Sequence, residues 1–324
     1  GTVTHPATQG LTATTGTFTS DISTPTLGTS NFRAGVNAGN SIASGGNFNT
    51  VVGDEAGTAI TTGDANTFVG FEAGKTVSTS SENTAFGYQA LKLNAAGDGN
   101  TAIGVKAMDA NVTGDRNVAV GSDALGAMNP DSNADMYNVA VGYNAGAAVT
   151  TGVQNTFIGG LAGDATTDAD SNVAVGFESL TTNVLGSKSV AIGQGALSDQ
   201  NPASAVDMNN VAIGYNAGSS VTTGVQNTII GAVAGDALNT GLSNVAVGKS
   251  ALSTDTKGNA STAVGKGALE TQNFTSSVDN YNTAVGYEAG NAVTTGVQNT
   301  LIGGSCGDAI TTGEKNVALG HLAL

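Results

Sequence analysis

The sequence has few of the residues from which globular cores are built. Its 324 residues include no Trp, only 5% aromatic and 11% charged residues, against 48 Gly. A globular domain of this length would contain more large apolar side chains and more charges. The glycines follow no three-residue period, so a collagen helix is excluded as well. The composition therefore favours a thin, repetitive architecture in which each unit contacts only its neighbours.

Basic residues, cysteine and long apolar runs are also scarce. Ten Lys and Arg stand against twenty-five Asp and Glu, which gives a formal net charge of −15. We therefore expect no nucleic-acid partner, which would need a basic stripe. No apolar run is long enough for a spanning helix, so we expect no membrane insertion. The single cysteine, Cys306, cannot form an intrachain disulfide and occupies a position that is Ala in other repeats, so we expect it to be buried.

A five-residue motif recurs seventeen times along the chain. It reads Asn-[Thr/Val]-[Ala/Phe/Ile]-[Val/Ile]-Gly in most copies, and a small residue follows three positions after the glycine. Self-similarity at a fixed period predicts a solenoid. The copies begin at Asn31, Asn49, Asn66, Asn83, Asn100, Asn117, Asn138, Asn155, Asn172, Ser189, Asn210, Asn227, Asn244, Ser261, Asn282, Asn299 and Asn316.

The spacing of the copies defines a larger unit, a block of four coils. From Asn49 onward most copies begin seventeen positions after the last, and one longer step of twenty-one closes each block. Asn66, Asn138, Asn210 and Asn282 are consequently equivalent, one per block. The sequence therefore predicts an all-β fold, a parallel β-solenoid or β-roll of about 17-residue coils with a 72-residue super-repeat. We expect residues 31–324 to form this solenoid and the threonine-rich residues 1–30 to be an attachment or capping segment.

The motif also predicts how the strand is covered. Successive strand side chains point to opposite faces, so Ala284 and Val285 should do so. Both are apolar, which implies that both faces are buried, although a coil this small encloses only one. We therefore expect identical chains around a threefold axis to cover the second face, with a dimer or a lateral sheet of solenoids as alternatives.

The asparagine and the glycine of the motif have predicted structural roles. The glycine ends the strand at a tight corner, which needs positive φ or close backbone approach. The asparagine precedes the strand, where its side chain can bond its own backbone and where it tolerates the left-handed conformation, and we expect stacked asparagines to form an amide ladder. In three equivalent coils these residues are Asn138 and Gly142, Asn210 and Gly214, and Asn282 and Gly286.

The repeated motif resembles the head repeats of trimeric autotransporter adhesins and is even more similar to related repeats in bacteriophage tail fibres. The coil at 282–298 with its internal Thr-Thr-Gly and the Thr-rich residues 11–19 add to the likeness, which covers 31–324. The resemblance implies a homotrimeric fibre or spike shaft of a virion that spans to and contacts a host surface. The alternative is a bacterial extracellular adhesin head, or a cell-surface filament in which chains stack head to tail.

Two features are candidates for recognition of a host-surface glycan or protein. The first is the insertion loop of each long coil, with the equivalent residues Asp135, Asp207 and Asp279; loops on rigid scaffolds often bind ligands. A spacer that restores the stacking register is the alternative. The second is the residue after the motif glycine, which either stacks on sugars or packs at the corner. It is aromatic at Phe71, Tyr88, Tyr143, Phe177, Tyr215 and Tyr287.

Catalysis finds no support in the sequence. The two histidines, His5 and His321, lie at opposite ends of the chain without an acid–base or metal-binding constellation around them. We therefore expect no enzymatic activity, no metal and no cofactor. Ice binding is not predicted either, because paired threonines such as Thr150 and Thr151 skip most coils.

Overall fold

The computed structural model describes residues 26–324. The predicted attachment or capping segment, residues 1–30, therefore lies almost entirely outside the described residues. Within the described part every regular element is a β-strand, and the strands are very short. The predicted all-β class is confirmed.

Twenty-three strands follow one another along the chain. They are β1 (Phe32–Ala34), β2 (Thr50–Val52), β3 (Thr67–Val69), β4 (Thr84–Phe86), β5 (Thr101–Ile103), β6 (Gly114–Asp115), β7 (Val118–Val120), β8 (Ala134–Asp135), β9 (Val139–Val141), β10 (Thr156–Ile158), β11 (Val173–Val175), β12 (Gly186–Ser187), β13 (Val190–Ile192), β14 (Val206–Asp207), β15 (Val211–Ile213), β16 (Thr228–Ile230), β17 (Val245–Val247), β18 (Gly258–Asn259), β19 (Thr262–Val264), β20 (Val278–Asp279), β21 (Thr283–Val285), β22 (Thr300–Ile302) and β23 (Val317–Leu319).

The motif strands form one 17-stranded sheet, and the two-residue strands form three separate pairs. Each motif strand pairs in parallel with the strand of the coil before and of the coil after, so that Thr283 lies opposite both Thr262 and Thr300. The long coils keep this register, since Val118 pairs directly with Val139. The four extra residues therefore leave the sheet undisturbed, and the predicted solenoid of short, regularly spaced coils is confirmed.

The middle residue of each motif strand points into the coil and its neighbours point outward. Ala284 is fully buried, whereas Val285 is 36% exposed. The predicted alternation is confirmed. The outer face stays open in the single chain, and its cover by a second chain stays a prediction.

The motif glycine is required by the backbone for both predicted reasons. Gly142 has φ 143°, a conformation that side chains strongly disfavour. A Cβ atom on Gly142 would also lie 2.4 Å from the carbonyl oxygen of Gly159, the same glycine one coil later. The motif glycines thus stack directly on one another and leave no room for a side chain.

The asparagines form a buried ladder that joins successive coils. The backbone N–H of Asn155 donates to Oδ1 of Asn138 at 2.9 Å, and Nδ2 of Asn138 donates to the carbonyl oxygen of Gly152 at 2.8 Å. The predicted amide ladder is confirmed. The asparagine itself does not use the left-handed conformation that it tolerates, because the preceding residue adopts it instead; Tyr137 has φ 55°. This leaves the side chain free to bond across coils.

In many coils the interior holds either a large strand residue or a large residue at the following corner, although the coils of Ala140, Ala212 and Ala284 hold neither. Phe157 is accompanied by Gly163, where a Cβ would lie 2.4 Å from Cε1 of the Phe157 ring. In the next coil Ala174 is accompanied by Leu180, which is fully buried with φ 52°. Between these two coils the volume lost at the strand is replaced at the corner, as close packing demands. Cys306 is fully buried at an alanine position, as predicted.

Candidate recognition surface

The insertion loops are fastened to the coil that precedes them. β8 pairs in parallel with β6, β14 with β12, and β20 with β18. Met136 and Met208, which follow the loop aspartates of the first two loops, are buried. Each loop is therefore held as part of the solenoid wall, and its exposed residues have fixed positions.

The three equivalent loop aspartates have three different partners. Asp135 forms an ion pair with Arg116 and accepts a hydrogen bond from the Tyr137 hydroxyl at 2.9 Å. Asp207 pairs with Lys188 at 2.6 Å. The third, Asp279, accepts a hydrogen bond from Nδ2 of Asn259 at 3.1 Å, because the position of Arg116 and Lys188 is an alanine in that block. The two ion pairs are about half exposed, so they contribute little to stability.

The six aromatic residues after the motif glycines form one exposed row. Tyr143, Tyr215 and Tyr287 are all more than half exposed, so they do not pack into the corner. The row has local contacts of its own. The rings of Phe71 and Tyr88, in adjacent coils, are stacked with centroids 5.5 Å apart and an interplanar angle of 14°. In the last block, Nζ of Lys266 lies 5.0 Å from the centroid of the Tyr287 ring.

The structure does not join the predicted aspartates and tyrosines into one site. Asp135 precedes β9 and Tyr143 follows it, so the two rows lie beyond opposite ends of the motif strands. The chain therefore presents two separate longitudinal rows, one of aspartates and one of aromatic residues, and both recur from block to block.

Sequence reasoning missed an ion-pair cluster that crosses three coils near the start of the stack. Glu72 accepts hydrogen bonds from Lys75 at 2.7 Å and Gln89 at 2.8 Å and forms an ion pair with Lys92 at 2.7 Å. Lys75 also pairs with Glu55 at 2.5 Å. The Lys75 hydrogen bond, followed by those of Lys92 and Gln89, lowers the pKa of Glu72 to about 2. The available signal was that Glu55, Glu72 and Gln89 occupy the same place in three successive coils.

Three aspartates have pKa values shifted the other way. Burial raises the pKa of Asp109, Asp115 and Asp236 above the ordinary value. The Asp115 carboxylate accepts a hydrogen bond from the backbone N–H of Asp98 at 2.7 Å. One oxygen of Asp236, Oδ1, is buried without a hydrogen-bond partner. Asp109 and Asp115 lie in the coil that begins at Asn100 and Asp236 in the coil that begins at Asn227, and the three form no common centre.

Among residues 26–324 no group of three or more His, Cys, Asp or Glu side chains is arranged to hold a metal ion. No helix in this part of the chain is long and apolar enough to cross a membrane.

The fold and its surface define a repetitive β-solenoid with rows of exposed side chains along its length. Comparisons with protein-family models, with curated proteins and with solved structures each found no match. The resemblance of the motif to fibre and adhesin repeats therefore stays a prediction.

Proposed function

We propose that this chain is the shaft of a homotrimeric fibre or adhesin, most simply a bacteriophage tail fibre or spike that spans to and contacts a host surface. The supporting observation is the outer face of the 17-stranded sheet. From β2 to β23 the last residue of every motif strand is Val, Ile, Phe or Leu, and all of these point outward. With about 4.8 Å between strands, they make an apolar stripe of about 70 Å.

An exposed apolar stripe of this length is expected to be covered by a partner with an apolar surface of matching shape. Ile158 is 40% exposed and Val285 is 36% exposed, and Phe86 is the most exposed residue of the stripe before its C-terminal end, at 56%. Soluble monomers rarely expose contiguous apolar surface of such length. A copy of the same chain presents a matching straight stripe, and rotation about an axis parallel to the rod buries all stripes together. The number three comes from the resemblance of the motif.

The interior of the solenoid suits a load-bearing spacer. In-register pairing connects every coil to the next, and the buried asparagine ladder adds hydrogen bonds between most of them, so bending or shearing the rod would break hydrogen bonds along its length. A virion is the proposed location, and a cell surface is the location in the adhesin alternative.

Light scattering of the purified chain tests the assembly. We expect a mass about three times 31.5 kDa. The double variant Ile213→Lys and Val285→Lys places charges on the stripe and should give monomers with unchanged β-structure by circular dichroism. The matched control is Gln226→Lys and Gln298→Lys, at exposed corners away from the stripe, which should stay trimeric. A wild-type monomer would contradict the proposed assembly.

Electron microscopy of the native particle tests the location. Labelling of slender fibres on phage particles supports the tail-fibre proposal. Labelling of a bacterial surface instead would establish the adhesin or filament alternative, and labelling of neither would contradict both.

A further inference from the structure

The aromatic row differs between blocks at one position. Each coil contributes one residue to the row, and we call each such position a rung. In each block the row contains three equivalent positions in consecutive coils, and the middle position decides whether the first ring is covered. These triplets are Phe71-Tyr88-Val105, Tyr143-Gly160-Phe177, Tyr215-Ala232-Lys249 and Tyr287-Gly304-His321.

In the first block the chain itself fills the middle rung with a flat ring. The ring of Tyr88 stacks on Phe71 at 5.5 Å between centroids and nearly parallel to it. Residue 160 corresponds to Tyr88 in the next block and is a glycine. The rung between Tyr143 and Phe177 is consequently open, and these two residues lie about 10 Å apart along the rod, two strand spacings.

The glycine at this rung is not required by the backbone. The motif glycines have φ in the left-handed region, but Gly160 does not. A Cβ on Gly160 would be in ordinary contact with the Phe177 ring, at 3.5 Å from Cδ2 and 3.8 Å from Cε2. The Phe177 ring therefore borders the open position at Gly160, and the Phe177 side chain is 48% exposed. The backbone at residue 160 could therefore accept a side chain without strain, and the effect of the glycine is to leave space on the surface.

The last block repeats the arrangement with an imidazole. Gly304 also has φ outside the left-handed region and lies between Tyr287 and His321. Nδ1 of His321 donates to the carbonyl oxygen of Gly304 at 2.9 Å, so this ring too borders the glycine position. Two blocks thus share a tyrosine, an open rung and a second flat ring.

We propose that the open rungs at Gly160 and Gly304 are stacking slots for a pyranose ring of a neutral or N-acetylated sugar. This inference rests on the proposed function of the chain as a host-surface contact. The apolar C–H face of a pyranose packs on an aromatic face as the Tyr88 ring packs on Phe71. We name the two positions the Gly160 slot and the Gly304 slot.

Polar side chains around the Gly160 slot are free to bind sugar hydroxyls. Asn144 and Glu178 directly follow Tyr143 and Phe177, and Gln194 lies one rung further along the row. Within residues 26–324 the side chains of these three residues make no hydrogen bond to the protein, whereas the motif asparagines are committed to the ladder. Because the chain carries a net charge of −15, acidic polysaccharides would be repelled, which favours a neutral polymer.

Calorimetric titration with short oligomers of glucose, of mannose and of N-acetylglucosamine tests the proposal on the full chain. We expect at least one of these to bind with two sites per chain. Gly160→Tyr places the Tyr88 side chain in the slot and should reduce the stoichiometry to one site. The matched control Ala232→Tyr makes the same addition where the third residue is Lys249, and should leave two sites.

A second readout separates binding from folding. Since the chain has no Trp, its tyrosine fluorescence should change on sugar binding, and Tyr143→Ala should weaken that response at the Gly160 slot at least tenfold. Absence of binding by all three oligomers, or two sites in Gly160→Tyr with an unchanged circular dichroism spectrum, would overturn the proposal. If the sugar-binding proposal fails but the chain is trimeric and attaches to cells, the proposed function is still supported. If the chain is monomeric and does not attach to cells, both the sugar-binding proposal and the proposed function are contradicted.

Discussion

Ser189 and Gln200 together occupy the place of one rung of the asparagine ladder. Oε1 of Gln200 accepts hydrogen bonds from the Ser189 hydroxyl at 3.1 Å and from Nδ2 of Asn210 in the next coil at 3.0 Å. In the preceding block the same two positions are Asn117 and Met128, and there the asparagine itself accepts the next backbone N–H at 3.0 Å. A serine at the motif position is thus accompanied by a glutamine, as in Ser189 and Gln200. An asparagine at the motif position is accompanied by a methionine, as in Asn117 and Met128.

Replacing the glutamine alone should break the ladder at this rung. Gln200→Met leaves the Ser189 hydroxyl and the Asn210 amide without this acceptor in a buried place, and we expect a loss of about 1–3 kcal/mol in the free energy of unfolding. Adding Ser189→Asn recreates the Asn117–Met128 pair and should recover most of the loss. Denaturant unfolding of the wild type, both single variants and the double variant measures the coupling. Purely additive effects would contradict the compensation.

A similar exchange should hold in the interior of the coil that contains Phe157 and Gly163. Gly163→Leu forces a side chain against the Phe157 ring and should cost about 1–3 kcal/mol by overpacking. Phe157→Ala should cost about 3–5 kcal/mol by leaving a cavity. The double variant reproduces the Ala174–Leu180 arrangement of the next coil and should be more stable than Phe157→Ala alone. Thermal unfolding provides the measurement, and a double variant less stable than either single variant would refute the volume exchange.

The Glu72 cluster should make part of the stability depend on acid pH. The pKa of Glu72 falls from its ordinary value of 4.5 to about 2 in the folded chain. The folded state therefore prefers the charged form, and its contribution is complete above pH 4.5 and is lost as the pH falls toward 2. Glu72→Gln should be less stable than the wild type at pH 7, and the difference should shrink at low pH. Glu288→Gln, at the equivalent position in the last block, serves as the control in the same melting series, because its lysine partner is 3.9 Å away.

Asp236 should show the opposite dependence. Burial raises its pKa, so the folded chain favours the protonated form, and its contribution is greatest below the ordinary pKa and is lost as the pH rises through the raised pKa. Asp236→Asn should consequently melt at a higher temperature than the wild type at pH 7, with the gain absent at pH 3. Asp164→Asn is the matched control, because that equivalent carboxylate accepts a hydrogen bond from Thr181 at 2.6 Å and should not gain from losing its charge. Equal effects of the two substitutions would count against burial as the cause.

The repeat was enough to predict the coil, its register and the ladder, because each depends on one position recurring at a fixed spacing. Asn138 donates to the carbonyl oxygen of Gly152, and its equivalents Asn210 and Asn282 do the same with Gly224 and Gly296, so one pattern describes them all. Contacts that differ between coils could not be predicted in this way. The Glu72 cluster and the Ser189–Gln200 pair each depend on the residues present in particular coils, and only a comparison of blocks position by position would have detected them.

The insertion loops allow a test that separates recognition from stacking. Residues 129–137 can be replaced by the segment 294–298 of a shorter coil, and the same exchange can be made in the other two loops. Because Asn138 still follows Asn117 in the ladder, we expect the rod and its assembly to survive with a modest loss of stability. If Asp135, Asp207 and Asp279 bind a host surface, attachment to cells should be lost in the loop exchange and reduced in the triple Asp→Asn variant. Full attachment by the loop-exchanged chain would show that the loops serve only as spacers.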